Sequence, residues 1–226
     1  IKNMSEVSHD AFVYMDSGSS LEIPYGLNIQ HSSFTVEMWI NPKSSGLLFQ
    51  QGYDNNRLSL FLNDNNTLGI QYEIAGEIIS ASSETALALA TDSAEAWQHI
   101  AFVFDNDQKT ISFIINGTLI QTNDSQPFLC DYAGEGAILI GNEGYDGSIH
   151  ELRIWSSNKY ATSIYQSMQI RLSGSEAGLL GYWPLDELVG VPQDLSRSRH
   201  MRGDVNWVVT KKGFGYDFLS NSILKA

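Results

Sequence analysis

Cysteine occurs once, at Cys130, so no disulfide can close within the chain and no cysteine zinc cluster can form. Basic residues are also scarce. Thirteen Lys and Arg stand against 26 Asp and Glu, a formal net charge of −13. Such a surface repels polyphosphate, which excludes nucleic acid as a natural partner, and it disfavours anionic membranes for the same reason. Apolar runs are only a few residues long, so membrane insertion by a helix is not expected. Helical periodicity is nearly missing, which argues against a parallel α/β sheet, whose strands need crossover helices. The chain opens at Ile1 without a charged, apolar, small-residue leader, and reads as a piece or processed form of a larger protein.

What is present is a globular composition, 42% hydrophobic, 17% charged and 11% aromatic. The acidity has two readings: net charge that keeps a surface soluble, or Asp and Asn clusters that bind hard cations such as calcium. A period of two dominates the pattern. In Ser33–Ile40 the residues Phe34, Val36, Met38 and Ile40 share one face, while Thr35, Glu37 and Trp39 share the other, as in a half-buried strand. Gly46–Gln51 and Arg57–Asn63 flank the turn Gly52–Asn56, and Thr67–Glu73 and Glu77–Ala81 flank Ala75-Gly76. Trp97–Asp105 is apolar on both faces and suits a central strand. Asn116-Gly117 joins Thr110–Ile115 to Thr118–Gln121 as a hairpin, and Ala137–Gly141 and Gly147–Trp155 complete the run. One segment, Thr162–Gln169, has helical spacing, with Thr162 as its cap. Ser80–Ala94 reads equally as a loop or a turn of helix. The expected fold is all-β: an antiparallel two-sheet β-sandwich of jelly-roll type with one short helix near 162–169.

Four phrases stand in order: FTVEMWINP at Phe34–Pro42, WQHIAFVFD at Trp97–Asp105, ISFIINGTLI at Ile111–Ile120, and ILIGN followed by YDGSIHELRIW ending at Trp155. In this order and spacing the chain resembles the laminin G-like, concanavalin A-like lectin sandwiches, of the kind shared with pentraxins, over roughly residues 11 to 170. A later phrase, GLLGYWPLDE at Gly178–Glu187, resembles a flanking segment that packs as an edge strand. The resemblance implies one sandwich over residues 1–209, followed by an extension or the start of a neighbouring domain over 210–226.

The resemblance also implies candidate sites. YDNNRLSLF at Tyr53–Phe61 looks like the pentraxin phrase whose D-N pair begins a calcium site, which makes Asp54 and Asn55 metal candidates. The partner loop offers Glu143, with Asp146 as a substitute ligand in a loop shorter than the family's. The competing reading is a polar turn capped by its own side chains. For a sugar, Tyr53, Tyr72, Tyr132 and Tyr145 are loop or strand-end aromatics with an apolar body and a polar tip, and they read equally as ordinary rim residues.

The remaining residues read as structural. Trp39, Trp97, Phe102, Phe113 and Trp155 suit core and inter-sheet filling, His99 a hydrogen-bonded core histidine, and Glu151 with Arg153 a paired feature on one strand face. Retaining glycosidases need two carboxyl groups ~5 Å apart, and no strand here carries an E-x-D-x-x-E or E-x-D-x-E phrase. No nucleophile elbow, H-E-x-x-H helix or phosphate loop occurs either, so no catalytic residue is expected. Arg202-Gly203-Asp204 spells an integrin-binding tripeptide. The function expected is a non-catalytic, lectin-like recognition module for a glycan, with calcium as its candidate cofactor, within a larger secreted or surface protein. The alternative is a structural or protein-binding module with no sugar.

Overall fold

The computed structural model describes residues 6–24, 26–27, 29, 32–53, 55–124, 136–196, 200–201, 203, 205–209 and 224–225. Its strands are β1 (Ala11–Met15), β2 (Leu21–Ile23), β3 (Phe34–Pro42), β4 (Gly46–Tyr53), β5 (Asn56–Leu62), β6 (Thr67–Ile74), β7 (Glu77–Ala86), β8 (Gln98–Asp105), β9 (Thr110–Ile115), β10 (Thr118–Asp124), β11 (Ile138–Ile140), β12 (Gly147–Trp155), β13 (Leu179–Trp183), β14 (Asn206–Val209) and β15 (Leu224–Lys225). One helix, α1, spans Ala161–Ser167. A nine-stranded sheet runs β10-β9-β8-β3-β12-β1-β14-β15, with β13 also on β12, and a six-stranded sheet runs β2-β11-β4-β5-β6-β7. The expected all-β antiparallel sandwich is the fold found.

Alternation builds the core between the sheets. Phe34, Val36, Met38 and Ile40 of β3 face Leu58, Leu60, Leu68, Ile70 and Tyr72 across the sandwich, all 2% exposed or less. Phe34 stacks on Phe104 at 4.1 Å, and the Tyr72 ring meets Phe104 edge-on at 6.1 Å. Each such buried side chain contributes roughly 1.5–3 kcal/mol of transfer free energy.

The half-buried reading of β3 is corrected, because every residue of that strand is buried on both faces. Helix α1 and the irregular segments beside it cover the outer face, with Ile164 and Ala161 packing on Ala101, Val103 and Ile114. Trp39 and Trp155 belong to this outer layer and not to the inter-sheet core; their indole nitrogens donate to Met168 O at 3.0 Å and Glu37 Oε1 at 2.8 Å. The helix begins one residue before Thr162 and makes no side-chain cap. The ambiguous Ser80–Ala94 stretch resolves as β7 to Ala86 and then irregular chain.

Strand β12 carries one extra residue. His150 pairs with Trp39 and Arg153 with Glu37, so three steps on β12 match two on β3. Glu151 absorbs the bulge with φ of 54°. The first half of β12 then pairs with β1 on its far side and the second half with β13, as expected of the GLLGYW segment. Pairing of β14 with Leu224–Lys225 carries the sheet past residue 209.

Candidate functional site

The two outer faces of the sandwich differ in chemistry. On the nine-stranded sheet the outward residues of β3, β8 and β12 form a sealed ionic layer. Arg153 donates from Nε and Nη2 to Glu151 Oε2 at 3.1 and 2.6 Å, and to the carbonyls of Ser167 and Ile170 at 3.0 and 2.7 Å. Tyr182 donates to Glu151 Oε1 at 2.8 Å. Glu37 lies 3.8 Å from Arg153 Nη1 and 3.5 Å from His99 Nε2. Glu37, His99 and Arg153 are each 0% exposed and Glu151 is 1% exposed, so no solute reaches them.

Burial governs the protonation of this layer. It pushes the Glu37 and Glu151 carboxyls above the usual carboxylate range, with Arg153 pulling the other way. Burial would lower Arg153, but the two carboxylates outweigh it and raise the guanidinium. Burial, and then the Arg153 charge, hold His99 well below the ordinary histidine value. The Glu151–Arg153 pair is thus found as expected. His99 is buried as expected, with a carboxylate at 3.5 Å in place of a hydrogen bond.

The outer face of the six-stranded sheet carries no helix among the described residues and stays partly exposed. Leu58, Leu60 and Leu62 point inward from β5, which turns Arg57, Ser59 and Phe61 outward. Gln71 and Glu73 face outward, alternating with the inward Ile70 and Tyr72 of β6, and Ile78, Ser80 and Ser82 face outward on β7. The register sets them in rows: Gly52, Arg57, Glu73 and Ile78 in one; Gln50, Ser59, Gln71 and Ser80 in the next; Phe61, Gly69 and Ser82 in the third. Arg57 Nη2 donates to Glu73 Oε2 at 2.7 Å, with side chains 34% and 20% exposed. Asn63 Nδ2 donates to Ser82 Oγ at 3.2 Å, and it fills the space over Gly69 where a side chain would sit 2.6 Å from it. The amides of Gln50 and Gln71 and the hydroxyls of Ser59 and Ser80 have no side-chain partner among the described residues.

The sequence-predicted residues scatter. Tyr53 stands at the β4–β5 hairpin, 64% exposed, its ring over Gly136. Asn55 follows it with φ of 66°, and its carbonyl accepts from the Ala75 amide at 2.7 Å, which ties this hairpin to the β6–β7 turn. Asp54 and Tyr132 lie outside the described residues, as do Arg202 and Asp204. Glu143 and Asp146 lie at the opposite end of β4, where the Leu47 amide bonds Asn142 O at 3.0 Å and the Lys43 and Ser44 amides bond Asp146 O at 2.7 and 3.1 Å. The eight residues of β4 hold the two ends roughly 23 Å apart at about 3.3 Å per residue. The grouping of Asn55 with Glu143 and Asp146 around one ion is therefore corrected: the strand between them is too long. Asp146 instead accepts from the Tyr14 hydroxyl.

Two tyrosines are also corrected. Tyr72 is 1% and Tyr145 0% exposed, so neither ring can meet a ligand. Tyr145 donates to Ser148 O at 3.1 Å and packs so closely on Gly46 that a Cβ there would lie 2.0 Å from its backbone nitrogen. A loop position in sequence became a core position because its loop folds inward over that glycine.

The open-face residues Gln50, Arg57, Ser59, Gln71 and Glu73 were missed as a group. Their signal was the polar half of the alternation in RLSLF and GIQYEI, which gains meaning only once strand register sets the rows side by side.

Residues 15–164 match a family model described as the concanavalin A-like lectin/glucanases superfamily, and the chain belongs to it. No curated protein matches. Among solved structures, a native heptameric SAP-like pentraxin from Limulus polyphemus is similar at 13% identity and TM-score 0.55, over 88% of this chain and 93% of that one. A candidate carbohydrate binding protein from Bacteroides ovatus is similar at 18% identity and TM-score 0.63, over 91% of this chain but 60% of that one. The CBM40 module of the Ruminococcus gnavus IT-sialidase, bound to α2,6-sialyllactose, is similar at 14% identity and TM-score 0.55, over 72% and 98%. At these identities the likeness is one of fold.

Proposed function

We propose that this chain is a non-catalytic glycan-recognition module within a larger secreted or cell-surface protein, and that the outer face of its six-stranded sheet is the binding surface. The observation that carries the reading is the set of groups on that face with no side-chain partner among the described residues, the amides of Gln50 and Gln71 and the hydroxyl of Ser80, beside the partly exposed Arg57–Glu73 pair and the Phe61 ring. Sugar hydroxyls need such donors and acceptors, and an aromatic ring offers a stacking surface to a pyranose. Carbohydrate-binding neighbours of the same fold support it. Among the described residues no helix is long and apolar enough to cross a membrane.

The carboxylates support binding over hydrolysis. Glu37 and Glu151 are sealed from substrate. On the open face Glu22 of β2 and Glu73 of β6 are four strands apart, roughly 19 Å at about 4.8 Å per strand, whereas glycosidase pairs are about 5 to 9.5 Å apart.

A protein-docking reading has its own surface. Leu119, Tyr160 and Tyr165 are 52%, 74% and 64% exposed around β10 and α1. An array of surface-bound glycans probed with the purified chain separates the two. Glycan signal lost in Gln71→Ala supports the sheet face. Absence of any glycan signal, with capture of a protein partner lost in Tyr165→Ala, would replace the glycan reading by the docking one.

A further inference from the structure

We infer that the open sheet face selects neutral, hydroxyl-rich sugars and discriminates against anionic ones, with the Arg57–Glu73 pair as the selecting element. This rests on the glycan reading above and names the ligand class it takes. Arg57 is the one cation in the strands of the six-stranded sheet among the described residues, and Glu73 already holds it at 2.7 Å. A guanidinium is the usual partner of a sugar carboxylate, because its fork matches two oxygens. Here that fork is engaged before any ligand arrives. A carboxylate sugar must displace Glu73 or share Arg57 with it, two like charges on one cation. Glu22 stands on the same face, four strands away, and the formal charge of the whole chain is −13, so the wider field repels the ligand as well.

A neutral hydroxyl meets no such penalty. It donates to a Glu73 oxygen and accepts from an Arg57 N–H without separating the pair. The adjacent row extends the same chemistry: Gln50, Gln71 and Ser80, with the 5% exposed Ser59 among them, run across four neighbouring strands, spanning roughly 14 Å at about 4.8 Å per strand. That row matches two or three hexose rings in length. Phe61 in the third row adds an apolar surface against which a ring can lie.

The test is calorimetric titration of the intact chain with lactose, cellobiose, maltose and mannobiose, and with α2,3- and α2,6-sialyllactose. At least one neutral sugar should bind, and sialyllactose should bind at least about five-fold more weakly than lactose, the ratio that corresponds to ~1 kcal/mol. Glu73→Gln frees the guanidinium and should narrow that ratio by at least threefold, with the melting temperature as a check on folding. Gln71→Ala should weaken the neutral sugar several-fold and leave the ratio as it was. Neutral binding should also vary little with salt. Sialyllactose binding as tightly as lactose, or a ratio unmoved by Glu73→Gln, overturns the neutral-sugar assignment while leaving a glycan module standing. Neutral binding unaffected by both Gln71→Ala and Gln50→Ala overturns the placement on this face. No binding of any sugar overturns the glycan reading itself.

Discussion

The same alternation of apolar and polar residues runs through β3 and β5, yet their outward halves meet opposite fates. In β3 the outward Thr35, Glu37 and Trp39 are sealed under the helix α1 and its flanking segments, with Glu37 tied to Trp155 and to Arg153. In β5 the outward Arg57 and Phe61 are partly exposed, while Ser59 between them is 5% exposed. Polar residues that are covered must be satisfied internally, because a buried unpaired polar group costs about 1–3 kcal/mol. Polar residues left open keep their hydrogen-bonding capacity for a ligand. One face of the sandwich is therefore committed to stability and the other is the face proposed for recognition, and substitutions should separate the two.

The largest effect should come from the sealed face. Removing the guanidinium in Arg153→Ala leaves Glu37 and Glu151 as buried carboxyls without their cation, and strands two carbonyls that it now satisfies. Breaking such a buried set costs about 3–5 kcal/mol, to be read as a lower midpoint in urea unfolding. The open-face pair tests the contrast: Arg57→Ala should cost less than about 1 kcal/mol, since its partners remain in contact with water. Equal losses at the two arginines would break the distinction between the faces.

Next comes the pair of tyrosines at the two ends of β4. Tyr145 is a core residue, and Tyr145→Ala should cost about 3 kcal/mol as a large aromatic deletion. Its loss of stability, measured by the same unfolding curves, should appear whatever ligand is present.

Acid should strain the sealed face first. Burial holds His99 well below its ordinary value and His150 down to about 3, and both are 1% exposed or less. Below pH about 6.5 the unfolded chain takes up protons on these rings and the native chain does not, so stability falls as pH falls. Each ring contributes up to about 1.4 kcal/mol per pH unit. Glu37 and Glu151 act with the opposite sign, because their raised carboxyls let the native chain take up protons earlier as pH falls. The histidine term is therefore cleanest from pH 6.5 to about 5. Over that window His150→Phe should flatten the slope of unfolding free energy against pH by up to one proton. An unchanged slope would mean that His150 titrates normally in the native state.

These contrasts also mark what was legible in the sequence. The succession of strands from β3 to β12, the hairpin at Asn116-Gly117 and the Glu151–Arg153 pair all follow from local pattern, because alternation and turn chemistry are properties of neighbours in the chain. The covering of β3 was not legible: Ala161–Ser167 begins 119 positions after Pro42, and only the assembled sheet shows that its apolar side lies on Ala101 and Ile114. The calcium grouping failed for a related reason. Motif resemblance located Asn55 and Glu143 but could not measure β4, whose length sets them at opposite ends of the sandwich. The open-face rows needed register, since Arg57 and Glu73 meet across two strands and are 16 positions apart.

The smallest effect on stability should come from Tyr53, and it is the one that tests how far the proposed surface extends. The ring is 64% exposed at the β4–β5 hairpin and lies against Gly136, where a side chain would come within 2.8 Å of its Cζ. Because it rests on backbone and not in the core, Tyr53→Ala should change stability by no more than about 0.5 kcal/mol. Gly52 pairs with Arg57 on the outer face, and strand alternation turns the Tyr53 ring to the other side of the same hairpin. Only a sugar that wraps from the outer face around the hairpin would stack on the ring, and deleting it should then cost ~1 kcal/mol, about a five-fold loss in affinity. Titration of the variant with whichever neutral sugar the wild type binds decides the extent of the site. A five-fold loss at an unchanged melting temperature draws the surface out to the hairpin. Unchanged affinity confines it to the rows of Gln50, Ser59 and Gln71, and a loss of stability above 1 kcal/mol would show that this rim belongs with the sealed face.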